Sequence, residues 1–211
     1  MLSTIFAHSF YETYMSIIRK AKIVEKLFLA VDKDIEKLKS NTGIHCIENC
    51  IYCCTTPGIK ATALEFYPLA IHLYKTGQAE QILDKLSKNA NSTICPMLNN
   101  LSADGSRIGC SQYEHRGLIC RLFAFNYTTD KNGVRHIAAC KAIKINQPAS
   151  IEKANLILKQ KPLGPKASDY YSRLQFADFS ESQNLYPIGQ AIQIAIEKVI
   201  THHHYRGKKA M

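Results

Sequence analysis

The sequence predicts a mainly α fold, in which a helical domain wraps around cysteine-bearing, loop-rich segments with little β structure. Residues 1–40 contain neither Gly nor Pro and place apolar side chains at alternating four- and three-residue spacings. That heptad period is typical of one apolar stripe on a long helix. Residues 89–134 are rich in turn dipeptides such as Asn-Gly and Asp-Gly. The sequence has no repeated βαβ pattern, which disfavours a doubly wound sheet or a TIM barrel.

Length and composition indicate one folded domain built from three segments. The chain has 211 residues, of which 46% are hydrophobic and 21% are charged, enough to bury a core without disulfides. The segments are a long amphipathic helix at 1–42, a cysteine-rich core at 43–141 and packing helices at 142–211. The apolar run at 27–31 is too short to cross a bilayer, which needs about 20 residues. We expect no membrane insertion and, because residues 1–10 lack signal-peptide features, a cytoplasmic protein.

The first segment predicts a helix that packs within the chain. Gly43 follows its last turn and suits a left-handed cap, since glycine has no Cβ to clash at positive φ. An amphipathic helix on its own bundle is commoner than a coiled coil, so a homodimer through this helix is the alternative. The stripe comprises Phe10, Tyr14, Ile17, Ala21, Val24, Phe28, Val31, Ile35 and Leu38.

Short helices are predicted on either side of the turn-rich region. Thr62 and Glu65 have capping-box spacing, and Pro68 should kink the helix that follows or move its start. Gly77 closes that helix, and a second runs over 78–88. A strand-like piece lies at 122–127. Further helices are predicted at 150–159, 168–178 and 187–202, the last with an apolar stripe.

The cysteines are the main indication of function. Cytosolic thiols stay reduced, so they are more often metal ligands than disulfides. Four of them fall within nine residues, and gaps of two or three residues let thiolates curl around one ion. Adjacent cysteines seldom share an ion, so we expect one of Cys53 and Cys54 to point to a second ion or to the core. The alternative is burial as small hydrophobes. The candidate ligands are Cys46, Cys50, Cys53, Cys54, Cys95, Cys110, Cys120 and Cys140.

Several polar residues accompany these cysteines. Arg121 follows Cys120, and a cation there would lower thiol pKa values, unless it forms a surface salt bridge. The histidines at 202–204 point in different directions on a helix, which favours a frayed polar terminus over a metal tract. Each of the other polar residues in these loops could replace a cysteine as ligand, hydrogen-bond to a ligand, or simply be solvated. They are His45, Glu48, Asn49, Glu114 and His115.

The net charge of +10 does not by itself predict a nucleic-acid partner. The lysines look scattered along the sequence, and no RNA- or DNA-binding motif is present. We therefore expect a solvated basic surface, with weak attraction to an acidic partner as the alternative. A protein partner is compatible with this composition but is not identified by it.

The cysteine pattern resembles the YkgJ-like cysteine-cluster family, described as zinc- or iron-chelating domains. The resemblance rests on the run 46–54, Pro57, Glu65, Cys95-Pro96 and the block 109–123. It covers roughly residues 40–141. Where that family usually has Arg-Pro, this chain has Arg116-Gly117, which leaves the local geometry open. The resemblance implies metal chelation through these cysteines, without a settled reaction.

The metal and its role stay open at this stage, because zinc and iron–sulfur centres both accept four thiolates. Cys46-x3-Cys50-x2-Cys53, with Tyr52 before the third cysteine, resembles the cluster motif of radical S-adenosylmethionine enzymes and favours iron. We expect an iron–sulfur cluster or iron, in a structural or redox role, with zinc as the alternative. A methyl-transfer or radical enzyme acting on a protein lysine is a further hypothesis. It would need S-adenosylmethionine and a pocket at Glu48, Tyr52 or Tyr113.

Overall fold

The computed structural model describes residues 15–89 and 92–207 and confirms the prediction of a mainly α fold with little β structure. Within these ranges, none of the helices is long and apolar enough to span a membrane. The helices are α1 (Ile17–Thr42), α2 (Tyr52–Thr55), α3 (Tyr67–Lys75), α4 (Ala79–Lys88), α5 (Leu118–Leu122), α6 (Lys141–Asn146), α7 (Pro148–Gln160), α8 (Ala167–Leu174), α9 (Phe179–Gln183) and α10 (Ile188–Gly207), with 3₁₀ turns at Leu64–Phe66 and Tyr113–His115. The strands are β1 (Lys60–Thr62), β2 (Leu98–Asn100), β3 (Ile108–Cys110), β4 (Asn126–Thr129), β5 (Arg135–Ala138) and β6 (Leu185–Pro187).

Helix α1 forms one wall of the core, as its apolar stripe predicts. Ser16 caps its first turn by accepting a hydrogen bond from the Arg19 N–H at 3.3 Å. Gly43 ends it at φ +81°, with its N–H donating to the Lys39 carbonyl. The stripe from Ala21 to Leu38 is buried against α3, α7 and α8. This face is therefore not free for a second copy, whereas Phe10 and Tyr14 lie outside the described residues.

Helices α3 and α10 pack against each other beside α1, and a short sheet ties their segments together. Strand β1 pairs antiparallel with β6, with Ala61 opposite Tyr186. The predicted stripe of α10 is buried, from Ile188 to Val199. The other two sheets are antiparallel hairpins, β2 with β3 and β4 with β5. One hydrophobic core cluster includes residues of all three predicted segments.

Two of the predicted boundaries are wrong for identifiable reasons. Leu122 ends helix α5 and does not start a strand, because Leu118 and Leu122 point together into the core at helical spacing. The helix predicted at 168–178 ends at Leu174. Asp178 instead caps α9, accepting the Glu181 N–H at 2.8 Å, a role for which aspartate is strongly preferred.

A fully buried carboxylate, Glu65, joins two distant segments. The predicted capping box forms, since Glu65 Oε1 accepts the Thr62 N–H at 2.9 Å and the Glu65 N–H donates to Thr62 Oγ1 at 3.3 Å. Pro68 lies in the first turn of α3, so that the helix starts at Tyr67. The second oxygen, Oε2, accepts the Ile119 N–H at 2.7 Å and thereby holds the start of α5.

We predict that Glu65→Ala lowers the free energy of unfolding by several kcal/mol, because each buried N–H left without an acceptor costs about 1–3 kcal/mol. Burial raises the pKa of Glu65 from 4.5 to about 7, against the opposing effect of its hydrogen bonds. The folded chain then keeps a proton that the unfolded chain releases, so this contribution to stability falls as the pH rises from about 4.5 to about 7.

Urea unfolding followed by circular dichroism at several pH values measures both effects. Glu65→Ala should remove that part of the pH dependence, whereas Glu152→Ala, at an exposed position of α7, should leave stability and pH dependence unchanged. A variant as stable as the wild type would show that Glu65 does not hold the two segments.

Candidate metal centre

Seven of the eight cysteines line one small cavity of about 50 Å³. The cavity lies where α2, the 95–97 segment, β3 and α5 meet the N-terminal end of α10. Phe66, Leu69, Met97, Ile188 and Ile192 form its apolar wall. The cavity, called here the thiol cavity, is lined by the thiols of Cys46, Cys50, Cys53, Cys54, Cys95, Cys110 and Cys120.

Cys54 is the centre of an inner group of four thiols. Its thiol interacts with those of Cys53, Cys95 and Cys110, and the two neighbouring sulfurs of Cys53 and Cys54 are 3.9 Å apart. The Cys95 N–H donates to the Cys54 carbonyl at 2.8 Å. Cys110 ends strand β3, opposite Leu98. The sulfurs of the two adjacent cysteines thus lie close together, and Cys54 is the one that is buried in the core cluster, one of the two expected positions.

The two outer cysteines of the cavity, Cys46 and Cys50, lie in the loop that follows α1. The exposed Cys46 interacts with Cys50 and Cys53 and also with Cys140, which caps α6 without lining the thiol cavity. Gln147 holds this loop in place. Its side-chain amide accepts the His45 N–H at 3.0 Å and donates to the His45 carbonyl at 2.9 Å.

The thiols of the inner group differ in acidity. Hydrogen bonding from Cys54 lowers the pKa of Cys53 to about 6, with help from the charge of Arg116. The same donor lowers the pKa of Cys110 to about 7 and lowers that of Cys95. Hydrogen bonds to Cys110, Cys53 and Cys95 raise the pKa of Cys54. Because the one S–H of Cys54 donates to one sulfur at a time, the arrangement favours a thiolate, the form that binds metal, at one of these three positions.

Two cysteines of the cavity have raised pKa values and therefore keep their protons to higher pH than an ordinary cysteine. Although Cys46 is exposed as a residue, partial desolvation of its thiol raises its pKa, and the neighbouring Cys50 and Cys53 add to that effect. Burial raises the pKa of Cys120 well above its usual value, and the charges of Cys95 and Glu65 act in the same direction. These thiols lose their protons most easily when a cation is close to them.

Arg116, not Arg121, is the cation that acts on the thiols. Its charge lowers the pKa of Cys46, Cys53, Cys110 and Cys120. The guanidinium lies 3.8 Å from the centre of the Tyr113 ring, and its buried Nε has no hydrogen-bond partner among the described residues.

Arg121 instead has a structural role, because its contacts fix the backbone near Arg116. It forms an ion pair with Asp32 on α1, and it donates hydrogen bonds to the carbonyls of Arg116 at 3.1 Å and Glu114 at 2.6 Å. The alternative role, a salt bridge, is therefore the one that Arg121 has, although only 7% of Arg121 is exposed and the partly exposed partner is Asp32. Arg121 fixes the backbone from which Arg116 reaches the thiols.

Apart from Tyr113, the other polar residues predicted for the site do not line the thiol cavity. His115 stacks on His72 of α3 at 3.9 Å, and His203 stacks on Tyr74 at 4.3 Å. Tyr113 does line the cavity and an adjoining groove of about 340 Å³. The candidates outside the cavity lining are His45, Glu48, Asn49, Tyr52, Glu114, His115 and the histidines at 202–204.

The donor set of the thiol cavity fits zinc or iron. Both metals accept thiolates, and no carboxylate lines the cavity. Two thiolates on one tetrahedral zinc, each about 2.3 Å from the ion, lie roughly 3.8 Å apart, close to the Cys53–Cys54 separation. Across residues 15–89 and 92–207, no group of three or more His, Cys, Asp or Glu side chains is arranged so that it could hold a metal ion. The thiols are gathered at one place without closing on one ion.

Gly117 is required by close packing, not by its backbone conformation. Its φ of −63° is one that proline also adopts. A Cβ at this position would lie 2.7 Å from the Phe66 ring and 3.0 Å from Glu65 Oε2. The departure from Arg-Pro at this point therefore lets α5 approach the buried Glu65.

We predict that Gly117→Ala destabilises the protein by about 1–3 kcal/mol, the usual cost of overpacking a buried site. Thermal or urea unfolding measures it. Gly189→Ala is the matched control, because its new Cβ would meet Leu86 at an ordinary 3.4 Å inside a helix. Equal effects of the two substitutions would contradict the packing argument.

We also predict that Arg116→Ala raises the pKa of Cys53 and Cys110, since it removes the positive charge that favours their thiolates. The ultraviolet absorbance of the thiolates, followed against pH in the reduced, metal-free protein, should then rise at higher pH than in the wild type. Arg107→Ala removes an exposed arginine and should leave the titration unchanged. An unshifted Arg116→Ala titration would exclude Arg116 as the controlling cation.

Comparison with known proteins agrees with this geometry. The comparisons with curated proteins and with solved structures gave no match. A family model named CxxCxxCC, described as a "putative zinc- or iron-chelating domain", matches residues 45–149. The matched region begins at His45 and extends just past Gln147, the two residues that hold the cysteine loop against α6, and it includes all eight cysteines. Through this region, about half of its length, the chain belongs to the CxxCxxCC family of zinc- or iron-chelating domains.

Proposed function

We propose that the chain binds iron through its cysteine thiolates, as an iron–sulfur cluster or as bare iron, in a structural or redox role. The observation that carries the proposal is the convergence of seven thiols on one cavity. The chelating spacing of Cys46, Cys50 and Cys53 supports iron. The bound metal would supply a cross-link between segments and, as iron, a one-electron carrier.

The chain's own residues have separable tasks in this proposal. Cys53, Cys54, Cys95 and Cys110 form the inner set of four donors, the number that one ion or cluster accepts. The apolar wall keeps water away from the sulfurs, which affects the potential of a redox centre. Arg116 offsets part of the negative charge of the thiolates.

Structural zinc is the second candidate. It is supported by the small cavity, about 50 Å³, and by the 3.9 Å separation of the Cys53 and Cys54 sulfurs. A structural zinc site is filled by four protein ligands, and metal removal then unfolds the domain. A structural zinc site is therefore colourless, contains no sulfide and unfolds on chelation, whereas an iron–sulfur cluster is coloured and contains sulfide.

The methyl-transfer alternative depends on space for S-adenosylmethionine. Ligand pockets are usually about 300–1,000 Å³, far larger than the thiol cavity. The adjoining groove that contains Tyr113 and Arg116 reaches about 340 Å³. Calorimetry with S-adenosylmethionine on the metal-loaded protein tests this alternative, and absence of binding would remove it.

Anaerobic purification followed by metal and sulfide analysis and a visible spectrum decides between the metals. Iron with acid-labile sulfide and a brown colour supports an iron–sulfur cluster, and iron without sulfide supports a bare iron site. A colourless protein with stoichiometric zinc and no sulfide would overturn the iron proposal and leave zinc.

We predict that Cys54→Ser loses most of the bound metal, because it removes the thiol at the centre of the inner group. Cys140→Ser should keep most of it, since Cys140 lies outside the cavity lining. Metal content per chain after identical purification is the measurement, with circular dichroism as a check on folding. Equal loss in both variants would show that the inner group is not the ligand set.

A further inference from the structure

The positive charge of this protein is concentrated in one part of the chain. Eight of the 27 Lys and Arg residues lie between residues 131 and 166, together with one of the 17 Asp and Glu residues. This segment therefore carries seven of the ten net positive charges. The expectation of scattered lysines is wrong here.

The fold packs this segment into one surface module. It comprises strand β5, which pairs with β4, and helices α6 and α7, with α7 lying against β5 and α6 against α7. We call this the basic module, residues 131–166. Within the described chain, six of its lysines are exposed and have no ion-pair partner. They are Lys131, Lys141, Lys144, Lys153, Lys159 and Lys161.

Aliphatic side chains stand exposed among these lysines. Ile145 is 64% exposed and shares a face of α6 with Lys141. Leu156 is 55% exposed and lies between Lys153 and Lys159 at helical spacing on α7. Both helices thus present cations and an aliphatic group on one exposed face.

We propose that the basic module binds the surface of an anionic lipid bilayer. Clusters of four to eight lysines or arginines on amphipathic helices are typical of such binding, because the cations meet lipid phosphates while aliphatic groups enter the interface. The partner is negatively charged and has an apolar layer beneath its charge, which suits Ile145 and Leu156. The proposal is independent of the metal.

Nucleic acid fits the same surface less well. Segment 131–166 contains no Phe, Tyr or Trp on which bases could stack. Its one arginine, Arg135, is directed inward and donates to the Leu158 carbonyl at 2.8 Å. The exposed cations are lysines, which lack the forked geometry that reads base edges.

Sedimentation with vesicles tests the proposal on the purified full chain. We expect binding to phosphatidylcholine vesicles that contain a minority of phosphatidylglycerol, weakening at high salt, and none to phosphatidylcholine alone. One lysine near an anionic surface contributes about fivefold to binding. The module variant should therefore bind at least about a hundredfold more weakly. It replaces Lys141, Lys144, Lys153 and Lys159 by Gln.

A matched variant separates position from total charge. It replaces four exposed lysines outside the module, Lys22, Lys26, Lys33 and Lys60, by Gln and should keep most of the binding. Ile145→Ser with Leu156→Ser should weaken vesicle binding while leaving the net charge intact. No binding to the anionic vesicles, equal losses in the two lysine variants, or binding to a single-stranded RNA without binding to vesicles would each overturn the proposal.

Discussion

The position of the thiols depends on one buried carboxylate. Glu65 stands fully buried between the capping box that starts the α3 region and the first turn of α5. Its oxygens accept backbone N–H groups from segments more than fifty residues apart in sequence. Cys120 lies on α5, directly after Ile119, so the carboxylate also sets where that thiol enters the cavity. Gly117 makes the approach feasible, because any side chain there would meet Phe66.

The frame around this contact consists of long helices, whereas the cysteines sit on short elements. Helices α1 and α10 bury continuous apolar stripes and need no metal to do so. The cysteine-bearing pieces are a four-residue helix, a five-residue helix, a three-residue strand and loops. Such pieces bury little apolar surface of their own. Hydrogen bonds accepted by Glu65 and Gln147 and donated by Arg121 hold them against the frame.

Features that depend on residues close in sequence could be predicted from the sequence, whereas contacts between distant segments could not. The stripe of α1, the cap at Gly43 and the capping box at Thr62 depend on neighbours a few residues away, so the sequence pattern contains them. Arg116 and Arg121 are alike in sequence, and only the path of the chain shows that Asp32 on α1 holds Arg121. Gln147 contacts His45 across a hundred residues, and a single sequence contains no signal for that. The net charge of the whole chain likewise did not reveal that positive charge is concentrated in residues 131–166.

Charge explains why the thiol cavity suits a metal better than it suits free thiolates. Several thiolates in an apolar cavity repel one another and lack water, so burial favours the neutral form. Arg116 supplies one positive charge, and the single S–H of Cys54 favours a thiolate at one of Cys53, Cys95 and Cys110 at a time by donating a hydrogen bond to it. Cys46 and Cys120 stay neutral. Full deprotonation therefore requires a further positive charge inside the cavity, and a chelated cation is the group that brings it to the sulfurs.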